Sequence, residues 1–332
     1  MPKLIVVVGV TGLQGCSVAR KFLSLPGWKV RGITRNPSGD KAKALAVEGV
    51  EIVQGDLDAA PSTLIPALTG AAAIFCNTDF FAPIWPEISN PSSTLKGEAL
   101  LKHAFEREVA QNVAVAEAAA APEVLATLER FVLSYLTDST KASKGKYTNM
   151  YHFDSKAEAA RQIEARFPQV HARMNYLLMG HYTNNVTLMP FMWPQKQEDG
   201  SYLIARSVSA TTWVPFINVP RDTGEFAWAL VEHLKPGTTL LGASQIMTWP
   251  EFTSLWGELL GVKAEYKQVT GREIFKGLPS PVDDEIIRSF DFWNEFGFVD
   301  DSTVVFPDQL DTKLSLTSME DFIKNEDWSA VL

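Results

Sequence analysis

Apolar runs and amphipathic segments alternate over the first 180 residues and predict a repeated strand–helix unit. Residues 4–8 are apolar without a polar interruption, which is typical of a strand buried on both faces. The segment that follows places Val18, Phe22 and Leu25 at helical spacing. Further strands are predicted at residues 28–34, 50–53, 71–76, 131–136 and 170–178, and helices at 15–25, 41–48, 62–68, 98–121 and 152–166. This alternation predicts an α/β fold with a Rossmann-like, doubly wound parallel sheet.

The pattern weakens after residue 180. Strands are predicted at residues 202–204, 212–217, 238–241 and 266–269, and helices at 222–234 and 249–260. Two earlier segments lack periodicity and are predicted as loops, the Pro- and Ser-rich residues 82–97 and the polar residues 141–150. We therefore predict a Rossmann domain over residues 1–180 and a smaller mixed α/β domain over residues 181–332, interleaved with the first.

Three glycines, Gly9, Gly12 and Gly15, follow the first predicted strand at spacings of three. Glycine permits positive φ and lets a phosphate approach the backbone without a Cβ in the way. The next helix then directs its free N–H groups and positive dipole end at that phosphate. Such a triplet alone would be an ordinary turn, but between a buried strand and a helix it indicates dinucleotide binding.

The end of the second predicted strand indicates which dinucleotide is bound. An acidic residue there would accept a hydrogen bond from a ribose 2′-hydroxyl, whereas an arginine accommodates a 2′-phosphate. The chain has Thr34, Arg35 and Asn36 at this point and no carboxylate. A solvated basic loop is the alternative, but the position favours NADP(H) over NAD(H).

Composition and charge exclude several classes of protein. The chain has 332 residues and a net charge of −9, which argues against direct binding to nucleic acid. No apolar segment is long enough to cross a membrane, and the first apolar run is a strand rather than a signal peptide, so we predict a cytoplasmic location. Cys16 and Cys76 suggest neither a disulfide framework nor a metal site. Cys16 either has its pKa lowered by the helix start or packs beneath the turn, and packing is favoured.

Four stretches, residues 8–15, 34–37, 54–57 and 152–156, resemble the NmrA-like family of atypical short-chain dehydrogenase/reductases. The resemblance is strong to about residue 190 and thin in the tail, and it implies a Rossmann domain with a small C-terminal domain. It also implies cofactor-binding positions. These are Gly9, Thr11, Gly12, Leu13, Gln14 and Gly15 for the pyrophosphate, Arg35 for the basic contact, Asp56 and Leu57 for adenine, Asn77, Thr78, Phe80 and Lys156 on the nicotinamide side, and His181, Tyr182 and Asn184 after the sixth strand.

The predicted catalytic residues depart from the usual pattern of these enzymes, Tyr-x-x-x-Lys. Here His152 takes the place of the tyrosine and Lys156 that of the lysine. The two share a face if the helix already includes His152, whereas a capping box at Ser155 would start it later. We favour the earlier start. Lys156 would then hold the nicotinamide ribose, and His152, Tyr151 or a bound water would supply a proton.

Two functions remain open from the sequence. The favoured one is an NADPH-dependent reductase acting on a carbonyl, imine or conjugated double bond of a small aromatic or polycyclic molecule. Its pocket would be lined by Phe80, Phe81, Trp85, Tyr182 and Trp193. The alternative is a catalytically silent NADP(H) sensor that acts through a protein partner, as some members of the family do. A homo-oligomer is compatible with either.

Overall fold

The computed structural model describes residues 2–299 and 303–332. Its strands are β1 (Lys3–Val8), β2 (Trp28–Thr34), β3 (Glu51–Gln54), β4 (Ala73–Cys76), β5 (Arg130–Tyr135), β6 (Met174–Met179), β7 (His181–Tyr182), β8 (Gln195–Lys196), β9 (Tyr202–Arg206), β10 (Trp213–Ile217), β11 (Thr239–Gly242), β12 (Gln245–Thr248) and β13 (Ala264–Gln268). Its α-helices are α1 (Leu13–Leu23), α2 (Asp40–Glu48), α3 (Ile65–Leu68), α4 (Ile84–Ser89), α5 (Gly97–Ala119), α6 (Pro122–Leu125), α7 (Ser139–Ala142), α8 (Tyr151–Arg166), α9 (Pro168–His171), α10 (Asn185–Leu188), α11 (Val219–Glu232), α12 (Trp249–Leu260), α13 (Gly271–Ile274), α14 (Val282–Phe296) and α15 (Met319–Asn325). None of these helices is long and apolar enough to span a bilayer.

Seven strands form the main sheet in the order β11-β6-β5-β4-β1-β2-β3. Every neighbouring pair is parallel. The chain runs outward from β1 to β3 and then returns to β4 on the other side of β1, so the strand order reverses between β1 and β4. In open α/β sheets, ligands bind at the carboxyl ends of the strands at such a reversal. The predicted Rossmann-like sheet is therefore confirmed.

The absence of polar alternation in β1 has a direct structural cause. Val6 and Val8 face one apolar cluster together with Val109 and Val113 of α5. Ile5 and Val7 face the other, which includes helices α1 and α11. Because successive side chains of a strand point to opposite faces, a strand covered by helices on both sides must be apolar at every position.

The rest of the chain forms a smaller layer with its own core. It contains two three-stranded sheets, β12-β10-β7 and β13-β9-β8. Its core is rich in aromatic side chains, including Trp249, Trp256 and Trp293. The chain crosses back after residue 180, because β11 pairs with β6 in the main sheet and α11 packs in the cluster that holds α1. The division of the chain at residue 180 remains a prediction.

Several predicted elements are wrong in part, and two of them show the physical reason. The predicted loop at residues 82–97 contains α4, in which Ile84 is fully buried against the cluster formed by Phe80 and Leu101. This short helix is stabilised by tertiary contacts, which a local pattern does not reveal. The strand predicted at residues 170–178 begins only at Met174, because Pro168 starts the short helix α9 before it.

Candidate functional site

A cleft lies along the carboxyl ends of β1 to β4. Many of the predicted cofactor-binding residues line it, namely Gly9, Thr11, Gly12, Arg35, Asp56, Leu57, Asn77 and Thr78. Arg107 and Gln111 of α5 line it as well, and the sequence did not point to them. The cleft therefore gathers residues that follow four different strands, as expected at the reversal of strand order.

The glycine turn has the geometry that its sequence predicts. Gly9 has φ of +74°, and a Cβ there would lie 2.9 Å from the carbonyl oxygen of Asn77. A Cβ on Gly15 would lie 2.2 Å from the carbonyl oxygen of Gly9, so the turn and α1 are in direct contact. Gly12 is the N-cap of α1 and no side chain caps it. The first N–H groups of α1, at Leu13, Gln14 and Gly15, are thus left for a ligand.

Charged side chains cluster at the end of the cleft nearest β2 and β3. Arg35 is exposed directly after β2. Arg107 holds Asp58 with two nitrogens, Nε at 3.0 Å from Oδ1 and Nη2 at 2.5 Å from Oδ2, and Gln111 donates to the same carboxylate at 2.8 Å. Burial alone would raise the pKa of Asp58, but the hydrogen bonds from Arg107 and Gln111 outweigh it and hold this pKa below its usual value. Asp58 therefore stays ionised and fixes Arg107 in the wall of the cleft.

Lys156 is held by a buried carboxylate that the sequence did not identify. Glu108 of α5 is 1% exposed and accepts a hydrogen bond from Lys156 Nζ at 2.6 Å. The same carboxylate accepts from the Ser155 hydroxyl at 2.5 Å and from the Thr78 hydroxyl at 2.7 Å. Asn112, one turn further along α5, donates to Thr78 at 2.9 Å. A buried charge of this kind requires such a network of donors.

His152 lies in the first turn of α8, which confirms the earlier of the two predicted helix starts. Its Nδ1 is 2.6 Å from Oε1 of Glu285, a fully buried residue of α14. The ring centroids of Phe80 and Phe81 lie 6.0 and 5.5 Å from the imidazole centroid. Phe80 is itself buried and packs with α4 and α5 rather than lining the cleft floor.

Tyr151 precedes His152 but contacts a different helix. Its hydroxyl donates to Glu98 Oε1 of α5 at 2.8 Å. Burial and the Glu98 carboxylate raise the pKa of Tyr151 to about 12. A phenol with a raised pKa is a weaker proton donor near neutral pH, and the hydroxyl hydrogen of Tyr151 is already donated to Glu98.

Two predicted residues, Gln14 and Tyr182, meet across 168 residues of sequence. Gln14 Nε2 donates to the Tyr182 hydroxyl at 2.7 Å. Burial raises the pKa of Tyr182 to about 12. The side-chain oxygens of Gln14 and of the nearby predicted residue Asn184 are buried and have no hydrogen-bond partner among the residues that the structure describes. Buried acceptors without partners are uncommon and are suited to an N–H or O–H donor of a ligand.

The other residues singled out from the sequence lie elsewhere. His181 packs among Phe216, Trp249 and Trp293 in the core of the smaller layer, and burial lowers its pKa to about 3. Trp85 is 45% exposed on α4, and the indole of Trp193 donates to the carbonyl of Thr187. Of the five predicted aromatic lining residues, the structure brings only Phe80 and Phe81 next to His152.

Cys16 is half-buried, Cys76 is buried, and both are free thiols. Cys16 donates to the carbonyl of Val10 at 3.2 Å, and burial raises its pKa, which agrees with packing beneath the turn. Cys76 is fully buried and burial raises its pKa to about 12. Neither thiol has the low pKa of a reactive cysteine.

The sheet order, the glycine turn and the cleft define a Rossmann-like protein with a small C-terminal layer. The chain belongs to the NmrA-like family, which it matches over residues 1–323. It is 27% identical over 294 residues to an NmrA-like family domain-containing oxidoreductase, notA, of Aspergillus sp. (strain MF297-2), covering 83% of this chain and 78% of that protein.

Two solved structures show the same fold. The first is NmrA, a negative transcriptional regulator, in complex with NADP, with a TM-score of 0.72, 18% identity and coverage of 98% of this chain and 95% of that one. The second is the binary complex of leucoanthocyanidin reductase with NADPH from Vitis vinifera, with a TM-score of 0.67, 15% identity and coverage of 97% and 98%. One fold thus contains both a regulator and a reductase, so the fold does not by itself decide between the two functions.

Proposed function

We propose that the chain is an NADPH-dependent oxidoreductase that reduces a carbonyl, imine or conjugated double bond of a small aromatic or polycyclic molecule. The observation that carries this proposal is the arrangement of His152 and Lys156. They lie one turn apart on α8, each is held by a buried carboxylate, and His152 packs beside Phe80 and Phe81. An oriented proton donor next to apolar rings suits an apolar substrate with one polarised double bond.

The residues of the cleft fit the proposed cofactor. The glycine turn and the first N–H groups of α1 would hold the pyrophosphate, and Arg35 would hold the 2′-phosphate. The unpartnered oxygens of Gln14 and Asn184 would accept hydrogen bonds from its hydroxyl or carboxamide groups. When bound, NADPH supplies a hydride, which together with one proton completes the reduction.

Lys156 would orient the cofactor ribose. Its ammonium group has three donors, and only one of them is used by a side chain or carbonyl among the described residues. Glu108 fixes the position of the ammonium and balances its charge. The two remaining donors are then free to bind hydroxyl groups in a defined direction.

A second candidate function is a sensor that binds NADP(H) without turnover and acts through a protein partner. The same ion pair supports it, since Glu108 neutralises the positive charge that would otherwise act on the reaction. The fold similarity to a negative transcriptional regulator supports it as well. A sensor would need neither aromatic rings packed beside a histidine nor a histidine oriented by a buried carboxylate, and for this reason we favour the oxidoreductase.

A screen of NADPH oxidation tests the two functions. The purified protein is assayed against a panel of aromatic and polycyclic ketones, imines and enones, with the His152→Gln variant as the matched control. We expect turnover of at least one class, and a loss of about 100-fold or more in the variant. Tight NADPH binding with no oxidation across the panel, together with cofactor-dependent capture of a partner, would instead establish the sensor.

A further inference from the structure

One carboxylate oxygen holds His152 at two points. Glu285 Oε1 accepts the backbone N–H of His152 at 2.8 Å and lies 2.6 Å from Nδ1 of the same residue. Met150, the N-cap of α8, makes no side-chain capping bond. Glu285 therefore replaces the missing cap, and a carboxylate at a helix N-terminus is also favoured by the helix dipole. The two residues are 133 positions apart in sequence.

The chemistry of this contact decides which nitrogen carries a hydrogen. Glu285 is 0% exposed, and an ionised carboxylate can only accept hydrogen bonds. An ionised carboxylate oxygen that accepts the backbone N–H of His152 can also contact the ring at 2.6 Å only if Nδ1 carries a hydrogen. The neutral form of His152 that fits this site is therefore the Nδ1–H tautomer, which leaves the lone pair at Nε2.

The other edge of the ring is the one that can exchange a proton. Nε2 lies across the imidazole from Glu285, and the side chain keeps 12% of its surface exposed. Phe80 and Phe81 pack against the same ring. Apolar neighbours cannot satisfy Nε2, so a substrate atom or water is left as its partner.

We propose that Glu285 is the positioning residue of His152, fixing its tautomer and aiming Nε2 at the substrate. The inference rests on the proposed function, in which His152 supplies the proton. In that step the Nε2–H bond of the imidazolium breaks, a new bond forms between this proton and the reduced substrate, and His152 is left as the Nδ1–H tautomer. Water returns the proton to Nε2, and the Glu285 carboxylate keeps its contact with Nδ1 and stabilises the imidazolium.

The tautomer can be measured without any substrate. Nitrogen NMR of the full chain with labelled histidine and NADPH bound, with His152→Gln to assign the signal, should show neutral His152 protonated at Nδ1. Glu285→Gln keeps an acceptor oxygen and should retain this tautomer, whereas Glu285→Met should shift it to Nε2–H. Glu295→Gln, an exposed residue on the same helix paired with Lys146, is the matched control and should change nothing.

Kinetics with any substrate found in the screen complete the test. We expect kcat to fall about 10- to 100-fold in Glu285→Met and by less in Glu285→Gln, with KM little changed. A wild-type tautomer protonated at Nε2, or a kcat that is the same in Glu285→Gln and wild type, would overturn the proposal even if Glu285→Met does not fold. If no substrate is turned over, the reductase fails while the NMR result still decides whether Glu285 positions the ring.

Discussion

The two ends of the candidate site are built in different ways. At the phosphate end, the glycine turn, Arg35 and Asp56 all come from the first three strand–helix units, and each directly follows a strand. At the second, assembled end of the candidate site, outside the residues that line the cleft, His152 and Lys156 depend on partners from remote helices, Glu285 from α14 and Glu108 from α5. The first end is local in sequence and backbone-based, and the second is assembled from side chains by the tertiary fold.

This difference indicates which parts of the chain determine cofactor binding and which determine turnover. Backbone N–H groups at a helix start bind a phosphate whatever the rest of the protein does. A histidine or lysine acquires its role only from the groups around it. Changes at the phosphate end should therefore alter cofactor affinity, whereas changes at the assembled end should alter stability and turnover.

The largest expected effect lies at the assembled end. Glu108→Leu leaves Lys156 buried without a counter-charge, and Ser155 and Thr78 without their acceptor. Breaking a buried pair in this way should lower the free energy of unfolding by about 3–5 kcal/mol, as measured by urea denaturation. Glu106→Leu, on the exposed face of the same helix, should cost less than about 1 kcal/mol. Equal losses of unfolding free energy in the two variants would contradict the role of Glu108 in a buried hydrogen-bond network.

At the phosphate end, Gly9→Ala and Gly27→Ala form a matched pair. Both glycines have positive φ, +74° and +87°, so the backbone conformation alone should make each substitution cost about 1–2 kcal/mol. Only at Gly9 does the new Cβ meet a neighbour, the carbonyl of Asn77, inside the cleft. We expect the Kd for NADPH to rise about 10- to 100-fold in Gly9→Ala, which is about 1.4–2.7 kcal/mol, and to be unchanged in Gly27→Ala. Fluorescence titration measures both Kd values. An equal loss of NADPH affinity in the two variants would contradict the placement of Gly9 at the cofactor site.

The pH dependence of stability tests the burial of His181 in the aromatic core of the smaller layer. Burial, aided by the charge of Arg206, lowers the pKa of His181 to about 3. The unfolded chain binds a proton at this residue below about pH 6.5, and the folded chain does not, so stability is lost as the pH falls from 6.5 towards 3. At about pH 5 the expected cost is about 2 kcal/mol. His181→Phe should remove this loss and the exposed His103→Gln should not; identical pH profiles for wild type and His181→Phe would contradict it.

The smallest expected effect concerns the choice between cofactors. Arg35→Ala should raise the Kd for NADPH about 10-fold, or about 1.4 kcal/mol, and leave that for NADH unchanged, because only NADPH carries the 2′-phosphate. Lys43→Ala, a nearby exposed cation of α2, is the control. Equal affinity for the two cofactors that survives Arg35→Ala would remove Arg35 from the site.

Most of the fold could be predicted because its signals are periodic. The second strand was predicted at residues 28–34 and a helix at residues 249–260, and both have those bounds. The helix α4 was missed, since its stability comes from contacts between Ile84 and residues of α5 rather than from its own pattern. Local periodicity indicates which face of an element is apolar. It does not indicate which distant residues a short segment will pack against.

Glu108, Arg107 and Glu285 of the site were likewise not predicted, because their roles depend on tertiary contacts. Glu108 left a weak signal, a carboxylate four residues before Asn112 on the inner side of a predicted helix. Glu285 left none, because it follows Asp283 and Asp284 in an acidic helix start where any of the three would satisfy the dipole. Only the packing of α14 against α8 buries one of these carboxylates beside His152.

The sequence by itself determined the buried first strand, the glycine turn, the basic residue after β2 and the spacing of His152 and Lys156. These features act through backbone conformation and helical periodicity, which are properties of a few adjacent residues. The tertiary structure decided which carboxylate holds each of the two candidate catalytic side chains and which aromatic rings lie beside them. Those choices depend on burial and on contacts between distant segments, which exist only once the chain has folded.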